Sequence, residues 1–124
     1  MAFYCWACYG RNDAGSGPCA HCGREISPPP AVREVDRLEW GTRHPDPDIG
    51  VIAARRLGQL GQVSELPFLR ELIRRPPDPY VGAEALRSVL RLSSVDGERD
   101  LLVELAREGA APVRRVAREA LEKH

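Results

Sequence analysis

Apolar residues return every three or four positions along most of the chain. Ile49, Ile52, Ala53, Leu57 and Leu60 form one such stripe, and Leu66, Leu69, Leu72 and Ile73 form a second. That period belongs to an amphipathic helix with one buried face. The first stripe predicts a helix over 47–60, with Asp46 as N-cap, Pro47 at the first helical position and Gly61 as its end. The second predicts a helix from residue 64 that Pro76-Pro77 stop. Val32, Val35 and Leu38, extended by Trp40, predict a shorter helix over 31–40, ended by Gly41 and the His44-Pro45 pair. The pattern then repeats. DPDIGVIAARRLGQLG at 46–61 comes back thirty-two residues later as DPYVGAEALRSVLRLS at 78–93, so that Asp46 becomes Asp78, Gly50 becomes Gly82, Ala53 becomes Ala85 and Leu57 becomes Val89. Helices are expected over 79–92 and 97–108, with Leu101 and Leu105 in the places of Leu69 and Ile73. A third, shifted copy opens at Pro112, where Val113, Ala117 and Leu121 predict a last helix over 112–123.

Self-similarity at this period is the mark of stacked helical repeats. The fold class is therefore all-α, a short α-solenoid of about two and a half 32-residue repeats over 46–124. Ala53 and Ala85 are small where neighbouring helices must approach closely. Residues 28–45 are expected to hold a stiff Pro28-Pro29-Pro30 spacer and a helix that covers one end of the array. Residues 1–27 belong to neither.

All four cysteines lie in that first segment, as Cys5-x2-Cys8 and Cys19-x2-Cys22 with ten residues between. A two-residue gap lets both thiolates of a pair reach one ion from a tight turn, and two such turns complete the tetrahedral set that structural zinc prefers. One zinc per chain is the expectation; iron in a similar site and a redox dithiol are the alternatives. So short a segment cannot build an apolar core, which leaves most of its folding energy to the metal. His21, inside the second pair, is expected to point outward. Phe3, Tyr4, Trp6 and Tyr9 crowd the first knuckle, either as a small core and docking face or as a stacking platform for unpaired bases.

The two Cys-x-x-Cys pairs, with Asn12 between them and the Cys22-Gly23 knuckle followed by Ile26, resemble short zinc ribbons of the double-zinc-ribbon type and zinc fingers of the Ran-binding-protein type. The latter bind ubiquitin or single-stranded RNA. The Asp-Pro start of the repeat, with Gly50, Ala53 and Leu57 after it, resembles the bacterial HEAT-like repeats first noted in phycobilisome lyases. This second resemblance implies a helical scaffold that offers an extended surface to a partner, and in some members assistance in bilin attachment.

Composition narrows the function. Lys+Arg and Asp+Glu are 18 each, so the formal net charge is zero. General nucleic-acid and membrane-surface binders carry excess positive charge, and this chain does not. No apolar run is long enough to span a membrane and no charged-then-apolar leader opens the sequence, so a cytoplasmic protein is expected. The repeats contain no nucleophile–base set, and no catalytic residue is assigned. Instead, Phe68 and Leu72 stand where the next repeat has Asp100 and Glu104, four apart on one face, flanked by Arg70, Arg74, Arg75 and Arg107. Either the ribbon or the connector covers them, or they anchor a protein partner together with Trp6. The reading is a non-enzymatic adaptor, monomeric by default and open to self-association, with Cys5, Cys8, Cys19 and Cys22 as metal ligands. The alternatives are a nucleic-acid-associated factor, not favoured, and an accessory to cofactor attachment of the bilin type.

Overall fold

Asp46 and Asp78 do what their spacing implies. Each is extended, and each side chain accepts a hydrogen bond two residues on, from the Asp48 amide at 3.0 Å and from the Tyr80 amide at 2.8 Å. These caps open α2 (Pro47–Leu60) and α4 (Pro79–Leu92) in the computed structural model, which describes residues 2–27 and 32–123. The tri-proline spacer, Ala31 and His124 lie outside the described residues. Ahead of α2 stand a two-stranded ribbon, β1 (Phe3–Tyr4) against β2 (Arg11–Asn12), and a helix, α1 (Glu34–Gly41). After α2 a single 3-10 turn, Val63–Glu65, leads into α3 (Leu66–Arg74); α5 (Arg99–Glu108) and α6 (Ala111–Glu122) follow α4. The helix expected from residue 31 starts at Glu34, because Arg33 is extended and turns its guanidinium onto Asp36.

The helices form a short solenoid. α2, α4 and α6 lie side by side, α3 packs on α4, α5 on α6 and α1 on α2. One apolar core runs through the stack, from Val35 of α1 through Leu57, Leu69, Leu86, Val89 and Leu102 to Val113 and Ala120.

The inward stripe of α2 differs from the expected one. Ile49 and Ile52 are exposed at 40% and 60%, whereas Gly50, Ala54 and Gly58 are buried. The reason lies in how closely α4 approaches. A Cβ on Gly50 would sit 2.8 Å from Val81 Cγ2, and one on Gly58 would sit 2.4 Å from Ser88 Oγ and 2.9 Å from Ser88 Cα. The packing ridge is therefore made of the smallest residues, four apart on one face, and hydrophobicity cannot reveal it. Ser88 Oγ closes the contact by donating to the Ala54 carbonyl at 2.7 Å. Gly82 repeats the device one step along, with Val113 Cγ2 3.2 Å from where its Cβ would be.

Among the described residues three carboxylates are buried in this stack. Glu98 and Glu84 are paired, as burial of a charge requires, whereas the third, Glu65, lies beside the Glu39 carboxyl and its Oε1 has no hydrogen-bond partner. Glu98 receives two hydrogen bonds from Arg70, at 2.7 and 2.9 Å, and one from Ser93. Glu84 is held by Arg55 and Arg87 at 3.1 Å, with Arg91 at 4.0 Å.

Candidate metal centre and partner groove

The two Cys-x-x-Cys turns are built alike. In the first, the Tyr9 amide donates to the Cys5 carbonyl at 2.9 Å and the Cys5 amide to the Gly10 carbonyl at 3.1 Å. In the second, Gly23 donates to Cys19 at 2.9 Å and Cys19 to Arg24 at 2.7 Å. Backbone amides also point at the sulfurs, from Ala7 to Cys5, Gly10 to Cys8 and His21 to Cys19, at 3.3–3.4 Å. The four Sγ atoms all lie within 4.8 Å of one another. Cys5 and Cys22 are 3.7 Å apart at sulfur, and Cys8 and Cys19 are 3.6 Å apart. A tetrahedron of sulfurs about 2.3 Å from a central ion has edges of about 3.8 Å, so the set fits one metal ion. His21 takes no part; it is exposed, with Nε2 2.8 Å from the Arg11 carbonyl.

Asn12 was legible only as a spacing residue, yet it ties the two turns together. It is buried, donates to Cys19 Sγ at 3.4 Å and to the Gly10 carbonyl at 3.0 Å, and accepts from the Ala20 amide at 2.9 Å. Its amide, followed by the backbone amides of Cys22 and His21, holds the Cys19 thiol down to about 6. At Cys8 the Gly10 amide also acts downward, but desolvation and the neighbouring sulfurs outweigh it and the thiol stands at about 11. Four thiols this close cannot all ionise near neutral pH without a cation among them.

The ribbon rests on the corner between α1 and α2. Trp6 packs against Trp40 with ring centroids 4.9 Å apart and donates its Nε1–H to the Glu25 carbonyl. The Tyr9 hydroxyl donates to the Trp40 carbonyl, and the rings of Tyr4 and Tyr9 meet His44 edge-on at 5.0 and 5.9 Å. Tyr9 has φ +58°, a left-handed conformation that glycine takes at the matching place in the second turn, Gly23. The strain places an aromatic ring at the contact where a glycine would offer none. The Arg43 guanidinium lies 5.9 Å from the Tyr9 ring centroid, within cation–π range.

From that corner a groove of about 270 Å³ opens along α3, lined by Arg43, Phe68, Glu71, Leu72, Arg75 and Pro77. Phe68 is half-buried on its wall, while Leu72 belongs largely to the core at 7% exposure. Of the arginines expected around this face, only Arg75 lines the groove, in a 3.5 Å pair with Glu71. Arg70 is engaged with Glu98, and Arg74 borders a separate hollow between α3 and α5. Arg107 is exposed near the end of α5, and Trp6 is at the ribbon contact. Arg43 was not anticipated. Its only sequence signal is adjacency to the turn at His44-Pro45.

A family model described as HEAT repeats matches residues 35–122, from within α1 to the end of α6. No curated protein and no solved structure matches the chain. Among the described residues no helix is long and apolar enough to cross a membrane.

Proposed function

The chain belongs to the HEAT-repeat family, and from that premise we propose that it works as a non-catalytic adaptor, in which a structural zinc ribbon braces one end of a helical stack and the stack grips a protein partner. The groove beside the ribbon carries this reading. Phe68, Leu72 and Pro77 give it an apolar lining, and Arg43 and Arg75 stand at its edges, a combination suited to an apolar anchor side chain within an acidic segment. The Tyr9 contact holds the corner from which Arg43 projects, so the ribbon serves recognition without touching the partner. Zinc is the metal favoured by four thiolates at tetrahedral spacing. The aromatic side chains that a base-stacking role would need are occupied at the corner, Trp6 on Trp40 and Tyr4 and Tyr9 on His44.

Phe68→Asp is the direct test. Leu72 sits too deep for substitution to be a clean probe. Partner capture by Phe68→Asp should fall by about tenfold or more, the loss of one buried anchor at roughly 2 kcal/mol, with an unchanged melting temperature. Undiminished capture would move the binding surface elsewhere. Metal analysis should return one zinc per chain; iron would announce itself by visible sulfur-to-metal absorption.

A further inference from the structure

The thirty-two-residue register identifies a face that the stack leaves uncovered. Val81 of α4 and Val113 of α6 are 1% and 2% exposed; the residue at the same place in α2 is Ile49, at 40%. Three positions on, Glu84 and Val116 are 3% and 6% exposed, and their counterpart Ile52 is 60% exposed. In α4 and α6 these positions pack on the preceding helix of the stack: Val81 seats on Gly50 and Val113 on Gly82. α2 has the same incoming face, and among the described residues no such helix stands in front of it. α1 covers one side only, where Gly41 meets Ala53 and Glu34 pairs with Arg56 at 3.1 Å. What precedes α1 is the ribbon, whose described residues contain no helix and which docks on Trp40 and His44.

We propose that the Ile49–Ile52 face of α2 is a berth for one helix of a partner protein, which completes the stack by taking the place of a preceding repeat helix. The berth continues an interface made twice already within the chain, and that interface states the chemistry of its occupant. A valine at this place seats on a glycine, and the α2 ridge that receives α4 is Gly50, Ala54 and Gly58. The α4 ridge that receives α6 keeps only the first of these, as Gly82, Leu86 and Leu90, so the partner helix must present glycine at that first position, with small or apolar residues four and eight places on. A second copy in head-to-tail register does not meet this requirement. The outgoing face of α6 has Arg114, Arg118 and Glu122 at the three ridge positions, a polar end of the kind that closes a repeat array. This surface is distinct from the Phe68 groove and stands whether or not the groove binds a partner.

The test uses the zinc-loaded full chain with labelled methyl groups and one probe, the peptide of residues 46–61 held helical by a staple across the side opposite its Gly50–Ala54–Gly58 ridge. The Ile49 and Ile52 methyl resonances should shift and saturate while those of Leu72 stay in place. Affinity should fall at least tenfold with Ile52→Glu in the chain, or with Gly50→Leu and Gly58→Leu together in the peptide. Ile52 is exposed, so the chain variant keeps its fold, which an unchanged melting curve verifies. Absence of binding at millimolar peptide, equal binding to Ile52→Glu, or shifts centred on Leu72 would each overturn the proposal. So would a dimer of the chain alone, seen by sedimentation and dissolved by Ile52→Glu, since a second copy would then fill the berth.

Discussion

The ribbon and the helical stack solve the same problem with opposite means. Among the described residues the ribbon buries three apolar side chains, Cys5, Cys19 and Ile26, with Ala7 against them, and two of those three belong to the cysteine set that could hold a metal ion. Its fold is specified by polar direction: amides aimed at sulfurs, and Asn12 linking the turns. The stack has a continuous core across all six helices, and its alignment is specified by side chains that are missing, at Gly50, Gly58 and Gly82. A small module can dispense with a core when a metal gives it a centre. A repeat array can dispense with specific polar contacts when its ridges leave only one close fit.

Removing a ligand separates the two regions most sharply. Cys5→Ser or Cys22→Ser, or chelation of the metal, removes a binding energy of roughly 10 kcal/mol or more. The ribbon should unfold, with loss of metal by elemental analysis and collapse of its amide dispersion, while helical circular dichroism keeps most of its amplitude. Loss of the helical signal together with the metal would show that the stack depends on the ribbon.

The converse change belongs to the ridge. Gly58→Leu drives a side chain into Ser88, whose Cα lies within 2.9 Å of the new Cβ, and should cost about 3 kcal/mol. Ala85→Arg, at a position with no exposure, should cost as much or more because it also buries a charge. Urea midpoints should fall in both, with metal content untouched. Midpoints equal to the parent's would mean that α2 and α4 are not in the register described.

A smaller change should part the regions without unfolding either. Tyr9→Gly removes left-handed strain of about 1 kcal/mol and the hydroxyl that reaches Trp40. Metal affinity should hold or rise slightly, while nitrogen relaxation should report a ribbon tumbling independently of the helices. A ribbon that still tumbles with the stack would locate the docking in Trp6 and Tyr4.

The finest test sets two carboxyls against each other by pH. Arg70 holds the Glu98 carboxyl below its ordinary value of 4.5, so this pair stabilises the fold above that value and its contribution drains as pH falls through the lowered one. Burial, and then the neighbouring Glu65 carboxyl, raise Glu39 to about 7. Its contribution is fully present below 4.5 and is lost as pH rises through about 7. Glu98→Gln should therefore flatten the acid limb of the stability profile, and Glu39→Gln the limb between pH 5 and 8. Flattening on the same limb by both would refute the assignment.

What the sequence made legible follows the same division. Ligand spacing, the Asp-Pro caps and the thirty-two-residue period are local and periodic, and they located the four sulfurs and the starts of α2 and α4. Of the inward stripe read for α2, Ala53 and Leu57 are buried but Ile49 and Ile52 are exposed, because apolar periodicity weighs the two isoleucines heavily and gives Gly50 and Gly58 no weight. The pairing of Arg70 with Glu98 spans 28 residues and depends on how α3 meets the segment before α5, which no local pattern carries. The same holds for Arg43, whose place at the groove follows from where the ribbon docks.

The docked ribbon has one further consequence. Residues 28–31 join it to the helices, so its contact with the α1–α2 corner is an intramolecular event. A short connection keeps one partner near the other at an effective concentration set by its length and stiffness. A contact too weak to survive between separate molecules can then stay closed most of the time. Any ligand that competes for Trp40 or His44 must outbid that local concentration, whereas one that binds only the closed form gains from it. The tether thereby sets a threshold of affinity for access to the corner, adjustable by its length alone and without altering a single contact.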